Sequence, residues 1–217
     1  MPKSREREYR TMAVMAVARD AESAEEGAEK SYRVKGYATT FNEPYELFED
    51  LDGKKYFEQV DPAAFDGADM SDVILQYDHA GMVYARNRNG SLKLTVDDHG
   101  LLVEADLGLT QDSRKLYEAI ETGLVDQMSF CFTIEDQKRD RETNTWTITK
   151  IGKVYDVSAV SIPANPGTEI SAARMKALDG EIQRERAERL AEEARQKRIR
   201  ILKLRARIAE GRRHDGF

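Results

Sequence analysis

The sequence predicts a mainly β domain followed by a long, charged helix. Three observations carry this expectation. Short apolar stretches separated by Gly, Asn, Asp and Pro turn signals recur from Tyr32 to Ile162. Within that span only Thr110 to Thr122 carries the start and stop signals of a helix. From Ser171 to Arg213 there is no Pro, Gly occurs only at Gly180 and Gly211, and Ala, Glu, Arg, Leu and Ile dominate. Strands and helices do not alternate, which argues against a parallel α/β sheet.

The elements follow in order. Tyr9 to Ala18, YRTMAVMAVA, fits either a first strand or a short helix, because Ala and Met favour helices. The next segment, RDAESAEEGAEK, lacks apolar periodicity and is rich in Glu, so residues 1–30 are expected to be an N-terminal strand plus an acidic linker. The folded body is expected to start near Ser31. Tyr32, Val34 and GYATTF indicate a strand, closed by Asn42-Glu43-Pro44. Asp52-Gly53 is a turn, and Asp61-Pro62 opens a short helical turn through Phe65. Asp72–Tyr77, Leu92–Val96 and Leu101–Leu107 are strand candidates, the last two joined through Asp98, His99 and Gly100. Thr110 caps the internal helix, Gly123 ends it, and Leu116 and Ile120 share its buried face. Val125–Ile134 and Thr145–Ile162 are the last strands, separated by the polar turn EDQKRDRETN. Pro163, Pro166 and Gly167 then interrupt regular structure. In the terminal segment Met175, Leu178 and Ile182 form an apolar stripe, which Leu190, Ala194, Ile201, Leu204 and Ile208 continue imperfectly.

Charge separates body from tail. The 217 residues carry a formal net charge of −6, yet Arg174 to Phe217 holds 14 Lys/Arg against 8 Asp/Glu. The tail is therefore +6 and the preceding 173 residues are −12. An acidic body argues against nucleic-acid binding. No apolar run approaches the length of a transmembrane helix, and MPKSREREYR lacks the apolar stretch of a secretory signal, so neither membrane nor export is expected. The single cysteine, Cys131, excludes an intrachain disulfide and a thiolate cluster. No HxxxH or comparable spacing points to a metal, and no cofactor is expected.

Three segments carry candidate chemistry: QYDHAGMVYAR at 76–86, GLVDQMSFCF at 123–132 and VYDVSAVSIPANP at 154–166. His79 follows an apolar strand and fits either a base working near neutral pH or a hydrogen-bonded structural histidine. If 128–133 is a strand, Met128, Phe130 and Phe132 face one way and Ser129, Cys131 and Thr133 the other. Ser129 is then a nucleophile if an imidazole is in reach, or an ordinary half-buried strand residue. Cys131 shares its face and competes as nucleophile, or is a buried, inert thiol. Strict alternation puts Val154 and Val160 on the face of Asp156, with Val157 and Ala159 opposite. A carboxylate in such a strand needs a partner, either a histidine or backbone amides. Turn chemistry accounts for His99. GxSxG is absent, so the nucleophile elbow of α/β hydrolases is not expected.

Together these segments resemble the prohead maturation proteases of tailed phages, which are related in fold to the herpesvirus assemblins. The resemblance runs from about Tyr32 to Ala173. ILQYDH matches the family's strand and Asn/Asp-His pair, which implies His79 as base. AIETGLVDQMSF matches its helix-Gly…Met-Ser-Phe element, which implies Ser129 as nucleophile. DVSAVSIPANP matches its closing acidic-Val-Ser…Pro-Ala-Asn-Pro, which implies Asp156 as third member. The interval of 50 residues from His79 to Ser129 fits the family's order. Cys131 stands where Gly is common, and Asp156 where Glu is common. His99 is the other candidate third member, since the assemblins use a second histidine. The resemblance implies a closed or nearly closed antiparallel β-barrel with surrounding helices, covering a protease domain at 31–173. Beyond it, the helix formers, broken apolar stripe and net positive charge of residues 174–217 suggest a helical scaffold-docking tail, or else the final helix of the body. The resemblance also implies cleavage of scaffold and major capsid protein inside the immature capsid in the host cytoplasm, with self-cleavage and possible self-association. Backbone amides near Ser129 or Arg86 are the candidate oxyanion donors. Two rivals remain at this point: a capsid-assembly protein of the same fold without activity, and a cysteine hydrolase using Cys131.

Overall fold

The computed structural model describes residues 6–17, 31–161 and 171–214. The chain divides into two units, Met1–Ser171 and Ala172–Phe217. The first holds ten strands among the described residues. β1 is Glu8–Val17, β2 Arg33–Thr40, β3 Tyr45–Glu49, β4 Lys55–Val60 and β5 Ile74–Tyr77. β6 is Ala80–Arg86, β7 Leu92–Val96, β8 Gly100–Asp106, β9 Gln127–Asp140 and β10 Thr145–Val160. The main path runs β3-β4-β10-β9-β1-β2-β8-β7, and β5 and β6 branch from the upper half of β10.

The mainly β expectation holds, but the barrel does not. No ladder among the described residues joins β3 to β7, so the sheet is open. It is also mixed, because β10 pairs parallel with β4 through Thr145–Ile148 and with β5 through Asp156–Ala159. A sixteen-residue strand offers one edge to two partners in succession, and that is where the topology leaves the antiparallel pattern. The sheet also begins before Ser31, since β1 lies hydrogen-bonded between β9 and β2. The strand alternative is thus the one adopted from Tyr9 to Val17, with Ala18 outside the described residues.

Local chemistry explains most elements. In β9, Met128, Phe130 and Phe132 enter the core, and the stacked Phe130 and Phe132 rings lie 4.2 Å apart. Helix α1, Gln111–Glu121, starts at Thr110, whose hydroxyl accepts from the Ser113 N–H at 3.1 Å. It buries Leu116, Tyr117 and Ile120, and Gly123 leaves it at φ 73°. Asp61 caps a 3-10 turn at Pro62–Phe65. The stretch expected to be a polar turn is instead mostly strand, because β9 runs to Asp140 and only residues 141–144 turn. β3 and β4, which carried no strand expectation, form a hairpin closed through Gly53.

The second unit is one helix, α2, Ala172–His214. Along it Leu178 and Ile182 are buried, whereas Leu190, Ile199, Ile201, Leu202 and Leu204 are exposed. No described helix is long and apolar enough to cross a membrane. The acidic segment 19–30 and the Pro163–Pro166 motif lie outside the described residues.

Candidate active site

The site is built on adjacent strands. β9 and β10 pair so that Cys131 lies opposite Asp156, Phe130 opposite Val157, and Ser129 opposite Ser158. Ser129, Cys131, Asp156 and Ser158 therefore share one face of the sheet, and Phe130, Val157 and Ala159 share the core face. The ladder is interrupted between Val154 and Asp156, leaving Tyr155 as the extra residue of a bulge. That bulge corrects the expected faces. Val154 sits opposite Phe132 in the core cluster rather than with Asp156. One inserted residue thus keeps the valine in the core and turns the carboxylate to the polar face.

β5 then brings the histidine over this face. Its last residue, Tyr77, lies opposite Ala159 of β10, and Tyr77 also pairs with Ala80 of β6. Only Asp78 and His79 connect the strands, with φ 48° and 54°. Positive φ at both positions is the mark of a type I′ hairpin turn, which favours Asn or Asp followed by Gly. A histidine in Gly's place costs about 1–2 kcal/mol. The turn is pinned to the end of β10. The Asp78 carboxylate accepts the Ser161 N–H at 3.1 Å, and the Asp78 N–H donates to the Ala159 carbonyl at 3.0 Å.

From this turn the imidazole spans both candidate partners. His79 Nε2 lies 2.7 Å from Ser129 Oγ, and Nδ1 lies 2.5 Å from Asp156 Oδ1. With Asp156 ionised, Nδ1 carries the proton and donates to the carboxylate, leaving Nε2 to accept from the Ser129 hydroxyl. Ser129 is 1% exposed and Asp156 5%, so the carboxylate needs every partner it has. One is Ser158, which sequence reasoning noted only as part of a motif. Its hydroxyl donates to Asp156 Oδ1 at 2.9 Å and accepts the His79 N–H at 3.3 Å. Ser158 thereby ties the carboxylate to the backbone of the histidine.

The other candidates separate. Cys131 is buried beside Asp156 and Tyr9. Its burial, and then the Asp156 carboxylate, push the thiol up to about 12, so it is neutral at pH 7. His99 sits in the β7–β8 hairpin, exposed, with its ring 4.4 Å from that of Tyr37. The Arg86 guanidinium forms a two-pronged pair with Asp72, at 2.6 Å and 2.5 Å. The backbone N–H of Arg86 donates to Ser91 Oγ at 2.9 Å and is thereby committed. No group of His, Cys, Asp and Glu among the described residues is placed to hold a metal ion. Sequence reasoning also missed Tyr9, whose ring meets that of His79 edge to face at 4.7 Å. The only advance signal was its place in an ambiguous Ala- and Met-rich stretch.

Hydroxyl, imidazole and carboxylate in one hydrogen-bonded line is the arrangement that serine hydrolases use. A model of the caudovirus prohead serine protease family matches residues 19–181. The chain belongs to that family and is a serine protease of phage capsid maturation. No curated protein and no solved structure matches it.

Proposed function

We propose that the chain cleaves peptide bonds through an acyl-enzyme on Ser129, with His79 as base and Asp156 as its orienter. The observation that carries this reading is the continuous contact from Ser129 Oγ through His79 to Asp156 Oδ1. His79 Nε2 takes the hydroxyl proton as Oγ attacks the carbonyl carbon. Asp156 holds Nδ1–H and steadies the imidazolium that forms. The imidazolium then protonates the leaving amine, and water, deprotonated by the same nitrogen, releases the acyl group. The neutral thiol of Cys131 lies beside the carboxylate rather than on Nε2, which supports the hydroxyl over the thiol as nucleophile.

The substrates we propose are the scaffold segments and major capsid protein of the same assembly, followed by the chain itself. Residues 31–173 form the protease domain in this reading, together with β1. Residues 174–217 dock the enzyme to scaffold, a role supported by their +6 charge and the exposed apolar residues of α2. The test is co-expression with the neighbouring capsid protein and intact-mass analysis of the products. Wild type should give discrete cleavage products and Ser129→Ala none. Equal processing by Ser129→Ala would overturn the assignment. Assembly with no cleavage by wild type would indicate a protein without activity. A chain ending at Ala173 should still react with a serine-directed fluorophosphonate but be depleted from purified proheads.

A further inference from the structure

The base at the centre of this reading projects from the tip of a two-residue turn. Two hydrogen bonds define the line from Nδ1 to Nε2, but they leave the ring free to rock about that line. Rocking swings the Nε2 lone pair out of the plane in which it meets the Ser129 hydroxyl. A second surface is needed to stop it, and it comes from β1, a strand that lies wholly ahead of the matched family region.

We propose that Tyr9 is a positioning residue for the His79 imidazole, so that the N-terminal strand completes the protease site. β1 pairs with β9 so that Tyr9 lies opposite Cys131 and Thr11 opposite Ser129. Tyr9 is therefore one strand from the nucleophile and two from Asp156, on their face of the sheet. Its ring stands 4.7 Å from the imidazole at an interplanar angle of 71°. This is the edge-to-face arrangement that aromatic rings prefer, and it resists tilting of either partner. The Tyr9 hydroxyl bonds to the Cys131 thiol, and burial pushes the phenol above its usual range, so the ring stays neutral beside Asp156.

The far face of β1 holds the ring in place. Glu8 and Arg10 are both buried there. The Arg10 guanidinium bonds to Glu58 of β4 at 2.6 Å, and Glu8 accepts the Ser171 hydroxyl at 2.6 Å. Breaking such a buried pair is strongly destabilising, so the strand cannot slide without losing these bonds. Tyr37 makes a similar contact with His99, at 4.4 Å and 81°, but on an exposed histidine. An edge contact alone does not mark a positioning residue. What distinguishes Tyr9 is that its partner has both ring nitrogens engaged and that its own strand is anchored from behind.

The inference rests on His79 being the base, and the test separates the two. Full-length chains are reacted with an alkyl fluorophosphonate, and the rate of Ser129 phosphonylation, in which Oγ bonds to phosphorus and fluoride leaves, is followed by intact mass across probe concentrations. Tyr9→Ala and Tyr9→Leu should lower the saturating rate about tenfold, equivalent to about 1.4 kcal/mol, and leave the half-saturating concentration unchanged. Tyr9→Phe, which keeps the ring, should be phosphonylated within about twofold of the wild-type rate, and so should Tyr37→Ala. Leucine fills much of the ring's volume, so it reports on the contact if the alanine variant does not fold. Wild-type rates in Tyr9→Leu would overturn the proposal. So would equal losses in Tyr9→Phe and Tyr9→Leu, because the ring would then not be the cause. If His79→Asn is phosphonylated as fast as wild type, the base reading falls first, and the proposal with it.

Discussion

Two hairpins of this chain carry an Asp-His pair at the turn, and both histidines meet a tyrosine edge to face. In the β5–β6 hairpin, Asp78 and His79 make the whole connection and both take positive φ. In the β7–β8 hairpin, Asp97 does the work of the turn. Its carboxylate accepts the His99 and Gly100 N–H groups at 2.8 Å and 2.9 Å and the Tyr37 hydroxyl at 2.8 Å. The His99 carbonyl accepts the Phe41 N–H at 2.9 Å, which leaves the ring outside. One histidine thus serves the turn through its backbone, while the other is carried by a strained turn so that its side chain reaches two neighbours. The difference lies in what the next strand offers. β5 lies along β10 at Asp156–Ala159, where a carboxylate and two serines face the turn. β7 and β8 lie at the opposite end of the sheet path.

The largest effect should come from exchanging each histidine in turn. His79→Asn keeps a residue type that tolerates left-handed φ, so the hairpin should persist. Hydrolysis should nonetheless fall by about 10⁴-fold or more, as when the base of a serine protease is removed. His99→Asn should stay within about twofold of wild type, in keeping with an exposed side chain away from the chemistry. Turnover of a capsid-derived peptide at equal folded concentration measures both. A comparable loss in His99→Asn would end the distinction between the hairpins.

The second contrast concerns stability. A Cβ on Gly100 would meet the Thr39 carbonyl oxygen at 2.0 Å, a backbone contact that cannot yield, whereas a Cβ on Gly81 would meet nothing within 4 Å. Gly100→Ala should therefore cost about 3 kcal/mol through forced backbone shifts. Gly81→Ala should cost only the about 1–2 kcal/mol of its left-handed φ. Urea denaturation of the two variants gives the comparison, and an equal loss would mean that the β2–β8 approach is looser than the structure shows. The smaller cost at Gly81 fits a hairpin free to present a side chain, the larger one a hairpin held tightly against β2.

The dipeptide at the turn does not tell one hairpin from the other. Asp78-His79 and Asp98-His99 are the same dipeptide, but a turn is expected only at the second, because no strand is expected at Ala80–Arg86. Alternation in β9 correctly separated Met128, Phe130 and Phe132 from Ser129 and Cys131, because a half-buried strand has a strict period of two. The same rule failed at Val154, because the bulge at Tyr155 inserts a residue that periodicity cannot anticipate. The order His79, Ser129, Asp156 was legible only through family resemblance. What brings those residues together is the pairing of β5 and β9 with β10, between segments far apart in the chain. The barrel expectation failed for the same reason, since closure depends on long-range register and not on any one segment. The strand at residues 135–140 was hidden by composition, because a ribbon exposed on one face carries polar residues that read as a turn. Arg10 and Glu58 were silent as well, since a buried ion pair looks in sequence like two surface charges.

The smallest expected effect belongs to Cys131, the neighbour that completes the surroundings of the first hairpin and has no counterpart in the second. Cys131→Ala should retain most hydrolytic activity, because the thiol contacts Tyr9 and Asp156 and not the imidazole nitrogen that takes the proton. Its signature should lie in alkaline stability. The folded chain raises the thiol from its usual 9 to about 12, so the unfolded chain loses that proton first as pH rises. For a group shifted upward, the stabilising contribution is complete below about pH 9 and disappears as pH climbs through about 12. Between pH 9 and 10.5 the wild type should therefore lose more stability than Cys131→Ala, and between pH 6 and 8 the difference between them should be constant. Urea midpoints at these four pH values test the sign; titration of the lysines, and of the tyrosines other than Tyr9, which bonds to the thiol, cancels between the two chains. Iodoacetamide at pH 8 should leave Cys131 of the native chain unmodified, as expected of a neutral, buried thiol. Rapid alkylation, or parallel alkaline profiles, would mean that the thiol is ionised within the site, and Cys131 would then return as a rival to Ser129.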